Sequence, residues 1–345
     1  MRSKQEVLEE HYGVDSFSKS GYFIVNDKHN HRPPLDQWTT LKLPYEAPTH
    51  PPIPSVEEIV KTLSKDPYGR IGECIVKMNE NPRILQEAEN ILYLQNNSQV
   101  RTPKVYAVFG EHCLVEGKLV QFYFLVMEAI EGFDLTHEAF EALDDEARKK
   151  IGAKISEHFG FLRAVPSEGY YGRVHRQGWD PSTPMLRMRY KEMPGPYNTY
   201  EDLVSAMFTT AELNAAISMS GEDFPERVPR ILSTLKSNLM KWEEDHEPTL
   251  THLYPCTNNF VVRSFEEDGE TNWEVVMDSW NQLCWLPPWA QAVANFESMF
   301  YFDNGGTKQR ISETLIHEAS QCFQKPYDDQ VEYFKELKKI NYSLF

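Results

Sequence analysis

The sequence predicts an α+β protein of two lobes, a small sheet-plus-helix N-lobe and a larger, mainly helical C-lobe. Three observations carry that expectation. Residues 74–78, 105–109 and 119–127 are short β-rich runs, and the amphipathic stretch 84–95 lies between the first and the second. After Gly132 the periodicity turns helical and stays so over most of the remaining chain. Between the two regimes, residues 130–134 form a short link that contains a glycine. At 345 residues the chain has room for two domains or one two-lobed one.

Residues 1–56 read as an N-terminal arm. From residue 31 to residue 54, prolines 33, 34, 44, 48, 51, 52 and 54 exclude helix and disfavour a central strand. Trp38 and Tyr45 would let the arm lie over a domain surface. The start, Met1-Arg2-Ser3-Lys4-Gln5-Glu6, has no apolar stretch behind it, so no signal peptide is expected.

Residues 57–132 form the expected N-lobe. Cys74-Ile75-Val76-Lys77-Met78 is its first strand, and Ile84, Ala88, Ile91, Leu92 and Leu94 mark one face of its helix. Val120, Phe122, Tyr123, Phe124 and Val126 make the last strand aromatic and β-branched.

Residues 133–345 form the expected C-lobe. Ile151, Ile155, Phe159 and Leu162 stripe a helix over 138–164, and Ile231, Leu232, Leu235 and Leu239 stripe another over 228–242. The stretch 166–197 between them is a loop by its Gly and Pro content. A second β region follows, at 260–263 and 273–277, joined by the acidic turn Glu266-Glu267-Asp268-Gly269. Helices close the chain from about residue 289, and no repeat of fixed period is present.

Charge and cysteines narrow the function. With 35 basic and 52 acidic residues the net charge is −17, which argues against nucleic acid or an anionic membrane as partner. No run approaches the ~20 apolar residues of a membrane span. Cys74, Cys113, Cys256, Cys284 and Cys322 share no metal-ligand or redox spacing, which suits a reducing compartment, with the cytoplasm as default.

Few residues stand out as chemistry. Lys77 lies mid-strand between apolar residues, where a buried ammonium needs a partner, and Glu87 in the following helix is placed to supply one. Such a pair alone is common in proteins. His29 and His31 lack a third ligand, and His252 with Cys256 reads better as a packed cysteine than as a thiol nucleophile with its base. The acidic runs Asp144-Asp145-Glu146 and Glu243-Glu244-Asp245 read as solvated helix ends.

Order along the chain adds more. Glu87-Ala88-Glu89-Asn90, then Val100-Arg101-Thr102-Pro103-Lys104-Val105-Tyr106, then Phe124-Leu125-Val126-Met127-Glu128-Ala129-Ile130-Glu131-Gly132 resemble the aminoglycoside phosphotransferase family, in particular its fungal branch. Ser167-Glu168-Gly169-Tyr170-Tyr171-Gly172 and Gly195-Pro196-Tyr197 look like that branch's C-lobe loop. The resemblance runs from about residue 75 to residue 289 and implies a protein-kinase-like fold with ATP and magnesium in the cleft. It implies that Lys77 holds phosphates, that Glu87 orients Lys77, and that the backbone from Glu128 to Ile130 meets adenine. It also implies a small hydroxylated, cationic substrate.

The catalytic hairpin, residues 251–280, departs from the family. The family's Thr-His-Gly-Asp-Leu segment, with an asparagine five residues after its aspartate, here reads Thr251-His252-Leu253-Tyr254-Pro255 and on to Asn259. The family's Ile-Asp-Trp-Glu appears as Met277-Asp278-Ser279-Trp280-Asn281. Asn259 and Asp278 thus keep the family's metal-holding positions, while Tyr254 occupies that of the catalytic base. Tyrosine, with an ordinary pKa of ~10, is a donor at neutral pH rather than a ready base. Loss of a general base costs roughly 10²–10⁴ in rate. The glycine loop is also thin, because Asp66-Pro67-Tyr68-Gly69-Arg70-Ile71-Gly72 has no GxGxxG. Two readings follow: a nucleotide- and magnesium-binding phosphotransferase of weak or absent activity, or a non-catalytic, pseudokinase-like scaffold with a protein partner. A carboxylate from Glu243 or Asp245 near the acceptor site would favour the first.

Overall fold

The computed structural model describes residues 2–13, 33–64, 66–115, 117–181, 183–186, 193–218, 223–242, 246–299, 301–304, 307–310, 313–323, 325–342 and 344. His29, His31, Glu243, Glu244 and Asp245 lie outside the described residues.

Three pieces of the first 56 residues are ordered elements. Helix α1 (Lys4–Tyr12) starts at a capping box, with Ser3 and Glu6 satisfying each other's backbone N–H, and stops at Gly13 in the left-handed region. The short helix α2 (Leu35–Trp38) carries Trp38, which is buried and donates its indole N–H to the Pro33 carbonyl. Strand β1 (Tyr45–Glu46) then joins the N-lobe sheet at its edge, where the neighbouring prolines cost no ladder bond.

Helix α3 (Val56–Thr62), capped by Ser55, leads into strands β2 (Tyr68–Ile71) and β3 (Cys74–Asn79). Helix α4 (Arg83–Asn97) is followed by the long hairpin of β4 (Val105–Val115) and β5 (Lys118–Glu128). The five-stranded sheet runs β1-β4-β5-β3-β2 with every neighbour antiparallel. Strand periodicity decides which residues face which helix. Cys74, Val76 and Met78 pack with Ile59 and Leu63 on one face. Lys77, between them, therefore points to the opposite face, where α4 lies.

The link turns on Gly132, whose φ is 142° and where a Cβ would stand 2.4 Å from the Val262 carbonyl oxygen. Strand β6 (Phe133–Asp134) then pairs with residues 261–262 of a hairpin later in the chain. The helix expected over 138–164 is two helices, α5 (His137–Glu141) and α6 (Asp145–Arg163). The first acidic run explains the break: Asp144 caps α6 by accepting the Ala147 N–H at 2.8 Å. Helices α7 (Tyr200–Ser218) and α8 (Arg227–Met240) follow, the first covered by Val7 and Leu8 of α1.

Strand β7 (Thr249–His252) precedes the hairpin of β8 (Phe260–Glu267) and β9 (Glu270–Met277), and β10 (Leu283–Leu286) returns to pair with β7. Helix α9 (Ala290–Met299), the small hairpin β11 (Tyr301–Asn304) and β12 (Thr307–Arg310), and helices α10 (Glu313–Ala319) and α11 (Asp328–Leu337) close the chain. The fold class is thus the one expected: an antiparallel-sheet N-lobe and a helical C-lobe with an embedded hairpin. One apolar cluster runs through both lobes, from Leu85 and Leu125 to Phe159, Phe260 and Trp280. All five cysteines are free thiols. Among the described residues no helix is long and apolar enough to cross a membrane.

Candidate active site between the lobes

The site is built around Lys77. Its ammonium donates to Glu87 Oε1 at 2.8 Å and to the Asp278 carbonyl at 3.0 Å. Glu87 is only 4% exposed. Its Oε1 also accepts the backbone N–H of Trp280 at 3.1 Å, so the carboxylate is fixed from both lobes. Burial alone would lower the Lys77 pKa, but Glu87 and Asp278 outweigh it and hold the group above its ordinary value. Lys77 is therefore a cation fixed between Glu87 and the backbone of Asp278.

Asp278 ends β9. Its backbone N–H donates to the Asn259 carbonyl at 2.9 Å, which ties the two metal candidates together. Asn259 donates its side-chain amide to the Tyr254 carbonyl at 3.3 Å, leaving its amide oxygen as an acceptor. Burial pushes the Asp278 carboxyl up to about 6, against the pull of Lys77 and with help from the negative charges of Glu87 and Asp134. A carboxylate held uneasily ionised in this way gains from any cation placed on it.

Other expected residues lie further out. Glu128 binds Arg101 through both oxygens, at 2.8 and 3.0 Å, and accepts the Lys104 N–H at 3.0 Å. Its own backbone N–H is donated to the Lys104 carbonyl. Burial works to raise its pKa, but Arg101 and Lys104 hold it below the ordinary value. Ile130 lies half-buried in the link. Tyr254 is 40% exposed, and its carbonyl accepts the Cys256 N–H as the segment turns.

The two glycines near Tyr68 form no phosphate loop. Gly69 pairs with Val76 inside β2, and Gly72 makes the turn of the β2–β3 hairpin with φ 60°.

Several neighbours were not legible as site residues. Gln291 on α9 brackets His252, accepting its N–H at 2.8 Å and donating to its carbonyl at 2.9 Å. His252 Nε2 meets the Ser279 carbonyl at 3.0 Å, and because a carbonyl only accepts, that nitrogen carries the proton. Asn90 donates to the Trp280 carbonyl at 2.6 Å. Asp134 and Tyr68 complete the rim, since both act on Asp278. A turn at Gly72 puts Tyr68 opposite Lys77, a register that the turn's composition alone does not specify.

The arrangement is a two-lobed α+β fold that gathers a lysine, two carboxylates and an asparagine. No family model matches the chain, and no curated protein matches it. Among solved structures it is similar to the ADP-bound aminoglycoside phosphotransferase APH(2'')-Ib, at 13% identity over 83% of this chain and 91% of that one, with TM-score 0.47. It is also similar to an APH(2'') enzyme solved with GDP and kanamycin, at 12% identity over 82% and 88%, with TM-score 0.48. An amicoumacin kinase solved with AMP-PNP and Ca²⁺ gives 13% identity over 76% and 70%, with TM-score 0.39.

Proposed function

We propose that the chain binds a nucleoside triphosphate such as ATP, with magnesium, between its lobes, and transfers phosphate weakly or not at all to a hydroxyl of a small molecule. The observation that carries this reading is the Lys77–Glu87 pair locked onto the backbone of Asp278. A half-buried cation and a half-buried, cation-seeking carboxylate side by side suit a phosphate chain and its metal.

The donor chemistry fits magnesium. Among the described residues no group of three His, Cys, Asp or Glu side chains could hold a metal. Magnesium needs none, since it keeps several waters and takes one or two protein oxygens beside the phosphates. Asp278 and Asn259 would hold it. Bound there, it would neutralise phosphate charge. Lys77 grips the phosphates, Glu87 fixes Lys77, and the link from Glu128 to Ile130 meets the base. The net charge of −17 suits a cationic acceptor molecule, and the free cysteines suit a cytoplasmic setting.

Tyr254 supports the second reading, a pseudokinase-like binding protein that meets a protein partner. It stands at the base position by sequence, and the β2–β3 hairpin replaces a glycine loop. Calorimetric titration of ATP with magnesium separates nucleotide binding from its absence. Micromolar binding that Lys77→Ala and Asp278→Ala both abolish supports the nucleotide site. No heat and no thermal shift in the wild type would overturn it.

A further inference from the structure

Tyr68 and Lys77 are directly opposed in the antiparallel β2–β3 ladder, so their side chains leave the sheet on the same face. The Tyr68 ring lies 5.5 Å from Lys77 Nζ, and its hydroxyl reaches Asp278 Oδ2 at 3.4 Å. Its place is fixed from several sides. Asp66 Oδ1 accepts the Tyr68 N–H at 3.3 Å, and the Pro67 carbonyl accepts the Met78 N–H at 2.8 Å. Proline at 67 also presets the turn into β2. Tyr68 is 39% exposed, so the phenol is open to the cleft rather than sealed in the core.

The phenol thus stands over the space between the cation that grips phosphates and the carboxylate that seeks a metal. Gly69 lies within the β2–β3 ladder and Gly72 makes its turn, so this hairpin stands where a glycine loop would. A phenol, with an ordinary pKa of ~10, is a hydrogen-bond donor at neutral pH.

We infer that Tyr68 is a phosphate-binding residue, its hydroxyl donating to a phosphate oxygen of the bound nucleotide in place of a glycine loop. This rests on the nucleotide reading above and adds a residue to it. A hydrogen bond to a charged group is strong enough for its loss to be read in affinity.

The test is calorimetry on the full chain with two probes, ATP with magnesium and adenosine alone, comparing wild type with Tyr68→Phe. Tyr68→Phe keeps the ring and removes only the donor, and its melting temperature reports whether it folds as the wild type does. The expected result is an affinity for ATP about tenfold weaker, with adenosine affinity unchanged. Equal ATP affinity in both proteins overturns the inference while leaving the nucleotide site standing. Tighter ATP binding by the variant also overturns it, because Tyr68 would then obstruct the site. An equal loss for adenosine overturns it in favour of a contact with the base. A wild type silent to both probes removes the nucleotide reading and this inference together.

Discussion

Asp278 sits half-buried beside Lys77, and burial lifts its carboxyl to about 6 from an ordinary 3.8 despite the ammonium nearby. A group held above its unfolded value favours folding most when protonated. Its contribution is present below about pH 4 and lost as the pH rises through about 6. At pH 7.5 the folded protein therefore carries an ionised group it would rather not. Asp278→Asn removes that charge at nearly constant shape. We expect the variant to be more stable than wild type at pH 7.5 by about 2 kcal/mol, allowing for partial exposure, and the advantage to fade by pH 4.5. It should also lose magnesium-dependent ATP binding. Urea titrations at the two pH values decide the first half, and a variant less stable at pH 7.5 refutes it. Lys77→Ala is a poorer probe, because it leaves Glu87 buried without its cation.

The hairpin of β8 and β9, with Trp280 behind it, is held against α6 by two buried histidines. His158 of α6 stacks on Trp280 at 5.3 Å between centroids and meets Phe260 edge-on at 6.1 Å. His252, at the end of β7, meets the other side of the arrangement, edge-on to Trp280 at 5.4 Å. Burial lowers both, His158 to about 3 and His252 to about 4, from 6.5. Groups held below their unfolded value give stability that is present above pH 6.5 and lost as the pH falls. Each costs about 1.4 kcal/mol per pH unit from 6.5 downward, while Asp278 returns about the same per unit from 6 to 4. Acid destabilisation should thus begin just below pH 6.5, well above the usual carboxylate range. In His158→Phe the slope between pH 6.5 and 5 should fall by about 1.4 kcal/mol per unit. An unchanged slope in urea titrations at pH 7, 6 and 5 would count against it.

Part of these elements could be read from the chain. Alternation of Cys74, Val76 and Met78 with Lys77 shows that the lysine faces away from the apolar side, and the stripe of α4 is plain. The polar face of α4 is not. Gln86, Glu87, Glu89 and Asn90 are all buried, and a helical pattern calls such residues solvent-facing until a C-lobe loop is known to cover them. The Gly/Pro-rich stretch after Pro166 misleads for the same reason, since Tyr170, Arg173 and Trp179 within it are buried against neighbours remote in sequence. Register was likewise hidden: Tyr68 meets Lys77 only through a hairpin whose turn composition alone does not specify.

Seen across the whole molecule, α4 is bolted to the C-lobe along its length. Arg83 pairs with Asp180 at 2.5 Å, Asn90 holds the Trp280 carbonyl, and Tyr93 donates to Glu168 at 2.5 Å. The centre of this seam is Glu89. It accepts from Arg173 at 3.2 Å, from Gln177 at 2.7 Å, and from the Thr40 backbone and hydroxyl at 2.8 and 2.5 Å. Arg173 also donates to the Trp38 carbonyl at 3.1 Å. One buried ion pair thereby joins the N-terminal arm, the N-lobe helix and a C-lobe loop. Burial lowers Arg173 to about 10, which still leaves it charged at neutral pH and dependent on its carboxylate. Removing one member of a buried pair strands the other, at a cost of about 3–5 kcal/mol. Glu89→Ala should therefore cost that much by urea titration and expose residues 33–46 to limited proteolysis, because Thr40 loses both of its bonds to the core. Glu89→Gln paired with Arg173→Met replaces the ions by neutral groups of similar size and should recover most of the loss. If Glu89→Ala unfolds at the wild-type urea midpoint with the arm still protected, the lobes are joined by the shared apolar core alone. If only the double variant recovers, the charge left behind in Arg173, rather than the hydrogen bonds of Glu89, is what the fold cannot tolerate.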